Sequence, residues 1–184
     1  MNLSFIPNAI CIVRILLVVP LVAALFAGEY KVALLLMVVA GLSDGVDGFL
    51  ARAFGWRSQL GSLLDPAADK LLMVSTFLSL TALGLVPVAL TIIVVLRDLV
   101  IVFGAFVYQQ LRGSLHGEPV LISKLNTVCQ LGFIILTIAQ AEWGRPGTYW
   151  LTLLGAMVVF TSISSGLTYV LVWSKRARQS AGAV

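Results

Sequence analysis

The sequence predicts an all-α protein: one domain over residues 1–184, built as a bundle of six transmembrane helices. Three observations predict it. Hydrophobic residues make up 60% of the chain and charged residues only 11%, where a soluble domain carries about a quarter charged. Mean hydropathy is +1.04, more apolar surface than water holds in solution, so lipid is the expected solvent. The apolar residues also fall into six continuous runs, each near the ~20 residues a membrane-spanning helix needs.

Those runs cover about 8–27, 32–53, 61–83, 87–112, 123–141 and 149–174. Turn chemistry or charge separates them. The breaks are Gly28-Glu29-Tyr30-Lys31, Gly55-Trp56-Arg57-Ser58, Gly84-Leu85-Val86-Pro87, Arg112 to Pro119, and Glu142 to Gly147. Backbone groups in lipid must bond internally, which a helix achieves within one segment. A membrane barrel would need short alternating strands, and these runs do not alternate. No repeat, low-complexity tract or interdomain linker interrupts them.

The net charge is +4. Its basic residues sit at the predicted helix ends, which suits anionic lipid headgroups and not nucleic acid. Cys11 and Cys129 lie far apart in apolar runs and read as buried thiols. Residues Met1 to Asn8 show neither a signal-peptide pattern nor an Arg-rich transit sequence, so a bacterial inner membrane is expected. Arg52 and Arg57 follow the second run, Arg112 and Lys124 flank the loop after the fourth, and Lys175, Arg176 and Arg178 follow the sixth. The opposite side holds Lys31 and Arg145. Basic loops face the cytoplasm, so both termini are expected there.

Eight acidic residues exist, and Asp44, Asp47, Asp65 and Asp69 crowd into one short stretch. A charge at the bilayer centre costs about 2.5–3.5 kcal/mol on insertion scales, and four carboxylates also repel one another. Something positive must gather them. Asp44 and Asp47 are three apart and Asp65 and Asp69 four apart, so each pair shares a helix face. A short connection implies antiparallel helices with the two pairs facing each other near the cytoplasmic surface. Such an all-oxygen pocket suits Mg²⁺ or Mn²⁺. The one histidine, His116, reads as a loop residue, and small residues beside the carboxylates leave room for a flat ligand.

The stretch reads Asp44-Gly-Val-Asp47-Gly48-Phe-Leu-Ala51-Arg52, then eight residues, then Gly61-Ser-Leu-Leu-Asp65-Pro-Ala-Ala-Asp69. It resembles the signature of the CDP-alcohol phosphotransferase family, D-x2-D-G-x2-A-R-x8-G-x3-D-x3-D, at every fixed position. The six-helix layout agrees, so the resemblance covers nearly the whole chain. It implies that Asp44, Asp47, Asp65 and Asp69 hold two divalent metal ions, with Asp69 also the general base. It implies a CDP-diacylglycerol site in which Gly48, Ala51 and Gly61 belong to the CDP-binding set and Arg52 pairs with the diphosphate. It further implies a homodimer. Many relatives carry a longer N-terminal segment along the membrane surface than this chain shows.

The acceptor is read from weaker marks. Family members acting on glycerol 3-phosphate use an Arg-Glu pair in the fourth span, a second arginine two turns later, and Gly-Lys-x-Lys-Thr before the fifth. Here Arg97-Asp98 stands first, Ala105 falls where the second arginine would be, and Ser123-Lys124-Leu125-Asn126-Thr127 lacks the second lysine. The other pieces resemble the eukaryotic-type branch that makes cardiolipin from CDP-diacylglycerol: Ile6-Pro7-Asn8 with Arg14, Pro87-Val-Ala-Leu90-Thr91, and Ile122 to Thr127 with Gln130. The expected acceptor is therefore phosphatidylglycerol, held by Arg97, Lys124 and Asn126. Snorkelling interfacial anchors are the alternative reading of Arg97 and Lys124, and Asn8 and Arg14 read equally as a cap and a helix–helix contact. Phosphatidylglycerophosphate synthesis stays open. So does a divalent-cation transporter, since intramembrane carboxylates mark ion paths too.

Overall fold

A computed structural model describes the backbone of residues 5–53, 59–112 and 121–181, and the side chains of 11–43, 67–104 and 121–169. Among the described residues there are six helices and no strand. They are α1 Phe5–Phe26, α2 Tyr30–Ala53, α3 Gln59–Ala82, α4 Val88–Arg112, α5 Leu121–Trp143 and α6 Thr148–Ala181. Each predicted run lies on one of them, and α6 continues past the predicted end at 174 to Ala181.

Glycine chemistry ends the helices where the sequence predicted breaks. Gly28 has φ +74°, a conformation that costs a side chain but not glycine. Its N–H reaches the Leu25 carbonyl, and the Glu29 N–H reaches back to Ala24 at 2.9 Å. The pair satisfies two carbonyls that the end of α1 would otherwise leave open. Gly84 repeats the device on α3, with the Leu85 N–H on the Leu80 carbonyl at 2.9 Å.

The chain divides into two compact units. The first comprises α1, α2, α3 and the later part of α5, from Ile134. In it α1 lies against both α2 and α3. Its core is Leu21, Leu25, Met37, Phe77, Leu80, Ile134 and Ile138, all fully buried. Lys31 and Glu142 form a partly exposed ion pair at 3.3 Å, worth at most about 1 kcal/mol.

The second unit comprises α4, the first part of α5 through Phe133, and α6. Helix α4 packs along α6. A Cβ on Gly155 of α6 would meet Leu90 Cδ1 at 3.3 Å and Phe133 Cε2 at 3.4 Å, so glycine there permits close helix approach. Gly155→Leu therefore overpacks the seam, with an expected cost of about 1–3 kcal/mol. A lower Tm of the purified protein checks this, and an unchanged Tm contradicts it.

The outward faces are apolar. Leu16, Val19, Leu35 and Leu42 in the first unit, and Leu96, Leu99, Phe103, Phe160 and Leu167 in the second, are all exposed. Leu121–Trp143 and Thr148–Tyr169 are long and apolar enough to cross a membrane, and Cys11–Phe26 and Tyr30–Ser43 are shorter apolar stretches. Neither cysteine forms a disulfide; Cys11 is buried and Cys129 half-buried.

Candidate active site

Asp44 and Asp47 fall three apart on α2, and Asp65 and Asp69 four apart on α3, so the helical spacing required by the motif is present. The side chains of Asp44, Asp47, Asp65, Ala51 and Arg52, with Gly48, Gly61, Asn8 and Ala105, lie outside the residues whose surroundings are described. Among the described residues no three metal-ligating side chains come together. Asp69 is described, and its neighbour is informative.

Arg14 of α1 donates from Nη1 to Asp69 Oδ1 at 2.8 Å. Arg14 is wholly buried, while the Asp69 side chain stays 43% exposed. A guanidinium inside an apolar helix is costly and marks function or a paired partner. Packing of α1 on α3 supplies that partner across 55 residues of sequence. The sequence reading had Arg14 only as a further site residue; the fold joins it to the proposed base. The carboxylate's remaining exposure fits the hard-cation donor role expected of it, since oxygen ligands must reach a partly hydrated ion.

The second unit contains a buried polar seam. Arg97 Nη1 donates to Asp98 Oδ1 at 2.6 Å, and Nη2 donates to Ser123 Oγ at 2.6 Å and Ser165 Oγ at 2.7 Å. Arg97 and Asp98 are both buried, so this is an ion pair removed from water, which needs such extra hydrogen bonds to be sustained. One turn along α6, Asn126 Oδ1 accepts from Thr161 and Ser162, each at 2.8 Å. The small hydroxyl residues of α6 thus lock two α4 and α5 side chains.

Arg97 and Asn126 are brought into one seam, but Lys124 is not. It is exposed and lies two residues from Asn126, about 200° around the helix. Sequence reasoning passed over Thr161, Ser162 and Ser165, which look like ordinary small membrane-helix residues. It quoted Gln130, now seen to be 1% exposed, without giving it a role. The signal available was the i, i+4 spacing of Asn126 and Gln130, which puts two amides on one face of an otherwise apolar helix.

Helices with apolar outward faces, two of them long and apolar enough to cross a membrane, together with buried arginines and a polar seam define an all-helical protein of membrane character. The model of the CDP-alcohol phosphatidyltransferase family matches residues 4–171, through both units, and the chain belongs to that family. It is 32% identical over 181 residues to human cardiolipin synthase (CMP-forming), an alignment covering 89% of this chain and 60% of that protein. It is 36% identical over 152 residues to a chloroplastic CDP-diacylglycerol–glycerol-3-phosphate 3-phosphatidyltransferase of Oryza sativa subsp. japonica, covering 72% of this chain and 46% of that one. A cardiolipin synthase (CMP-forming) of Streptomyces coelicolor is 39% identical over 87 residues, 47% of this chain and 38% of the relative. The chain thus spans about six tenths or less of the length of these relatives.

Proposed function

We propose that this chain transfers a phosphatidyl group from CDP-diacylglycerol to phosphatidylglycerol, giving cardiolipin and CMP. The observation that carries the reading is the complete motif from Asp44 to Asp69 at helical spacing on α2 and α3, inside the family match. The cardiolipin synthases among its relatives support the choice of acceptor. The thinned cation set, with Ala105 and Asn126 where phosphomonoester-binding relatives carry arginine and lysine, supports it independently. A phosphodiester carries one negative charge, and a buried charge needs pairing.

In the proposed reaction a glycerol hydroxyl of the acceptor attacks the phosphatidyl phosphorus. A new P–O bond forms, the bond to CMP breaks, and the hydroxyl proton passes to Asp69. Arg14 holds the Asp69 carboxylate from the side. Gly48, Ala51, Arg52 and Gly61 accommodate the CDP moiety. Asp44, Asp47, Asp65 and Asp69 would hold two Mg²⁺ or Mn²⁺ ions, which supply charge neutralisation to the diphosphate and the departing CMP. Arg97 and Asn126 serve the acceptor, and Lys124, exposed on the helix surface, attracts its phosphodiester.

The same reading has all six helices crossing the membrane, the chain acting as one catalytic domain, and two copies forming a homodimer. Both termini and the active site face the cytoplasm, from the asymmetry of basic loops. In a chain with Cys11 and Cys129 replaced, Ser58→Cys and Ser180→Cys should resist an impermeant maleimide in intact cells and react once the cells are opened. Ready labelling of intact cells inverts the topology.

The activity itself is tested by CMP release. Purified protein should release CMP from CDP-diacylglycerol only when an acceptor lipid is present, in step with lipid product. A cation transporter would instead move ions in vesicles with neither lipid and release no CMP.

A further inference from the structure

Arg14 stands where the packing of α1 calls for an apolar residue. Cys11, Arg14, Val18, Leu21 and Leu25 recur at three- and four-residue spacing and are all buried, so they form the stripe that α1 turns inward. Four of the five are apolar, and the fifth is a guanidinium with no exposed surface. Taking such a charge out of water is costly, and an apolar pair of similar volume would hold two helices as well or better. Helix packing alone therefore does not account for the Arg14–Asp69 pair.

The pair is also built unevenly. Lys31 and Glu142 form an ion pair whose cation is 71% exposed, a surface contact. Arg97 and Asp98 are withdrawn together, at 4% and 5% exposure. In the Arg14–Asp69 pair the cation is wholly enclosed while the carboxylate is 43% exposed. Enclosed in this way, Arg14 presents no surface to a substrate; what it does, it does through Asp69. A carboxylate has about four lone-pair sites on its two oxygens, and the Arg14 N–H takes one of them, on Oδ1. The carboxylate is thus held from inside the protein without being closed off.

We propose that Arg14 is the positioning residue of Asp69: it fixes the carboxylate in the orientation that takes the acceptor's hydroxyl proton as the new P–O bond forms. This rests on the base assigned to Asp69 above and deepens it. An unanchored aspartate samples several rotamers, and most of them carry its oxygens out of the hydrogen-bond reach that a general base must keep. The guanidinium suits the task, because its N–H groups project along fixed directions in one plane, whereas an ammonium rotates. Helix α1 carries none of the four aspartates, yet through Arg14 it sets the geometry of the reaction.

The test is a double-variant cycle on the purified full chain, with kcat and the KM of each substrate measured separately. Arg14→Met removes the charge and the donors from an unbranched side chain. It should lower kcat about 10²-fold, the cost of a small misplacement at a reacting centre, with both KM values unchanged. Made in Asp69→Asn, the same substitution should lower kcat no further, because the group it positions no longer takes a proton. A purely structural role would lower kcat by the same factor in both backgrounds; that result, or a loss confined to KM, would overturn the proposal. Arg14→Lys retains a cation and decides the matter where the Met variant does not fold. Its kcat should fall about tenfold, the worth of one hydrogen bond, and not at all in Asp69→Asn; a native kcat would overturn the role given to the guanidinium. Near-native turnover of Asp69→Asn alone is a different failure, since it removes the base itself and the positioning role with it. The cycle is read on whichever acceptor the wild type converts, glycerol 3-phosphate included, so it does not depend on the choice of phosphatidylglycerol.

Discussion

Asp69→Asn should lower turnover about 10²–10⁴-fold, the range general-base catalysis contributes, while leaving Tm almost unchanged. The amide is nearly the size of the carboxylate, and its carbonyl oxygen still accepts the Arg14 hydrogen bond that is 2.8 Å long in the native protein. It cannot take a proton from the acceptor hydroxyl. Asp69→Ala should lose the rate and stability together, because it also removes a hydrogen-bonded partner from the wholly buried Arg14. That loss is on the order of 1 kcal/mol or more, moderated by the exposure of the carboxylate. Steady-state rates and melting curves on the two variants separate the roles. An Asn variant with near-native turnover would remove Asp69 as the base.

Asp44→Ala and Asp65→Ala should each reduce transfer about 10³-fold or more. Charge stabilisation by bound divalent ions is worth several kcal/mol, and each 1.36 kcal/mol is tenfold in rate. Dialysis against EDTA should silence the native protein, and Mg²⁺ or Mn²⁺ should restore it. Calcium fits the oxygen ligands too but prefers a looser, larger shell, so it should restore little. Full activity after exhaustive EDTA treatment would contradict the metal assignment and leave the four clustered carboxylates without an explanation.

The helices were legible because lipid imposes a simple rule on the chain. Six apolar runs separated by turn chemistry became six helices, and Gly28 and Gly84 ended α1 and α3 where the breaks were expected. The motif was legible for a related reason: its spacing is internal to two adjacent helices, so no tertiary information is needed to read it. What crosses between helices was not legible. Arg14 lies 55 residues from Asp69, and nothing local in α1 distinguishes a carboxylate partner from a helix–helix contact. The antiparallel facing of the aspartate pairs was inferred from the short connection, and the side chains of Asp44, Asp47 and Asp65 lie outside the described residues; α1 packs against both α2 and α3. The seam was half legible. Arg97 and Asn126 could be singled out by charge and position, but their hydroxyl partners Ser162 and Ser165 differ in no local way from small packing residues. Lys124 was grouped with them through the resemblance of the Ile122 to Thr127 stretch, and the turn of α5 places it on another face from Asn126.

The most direct measurement of the central claim is product analysis by thin-layer chromatography, with purified protein, CDP-diacylglycerol, Mg²⁺, and either labelled phosphatidylglycerol or labelled glycerol 3-phosphate. The account predicts labelled cardiolipin from the first, in step with CMP, and little turnover of the second. Phosphatidylglycerophosphate as the main product would contradict the acceptor assignment and leave phosphatidyl transfer intact; no lipid product from either, with no CMP released, would contradict the transfer chemistry itself.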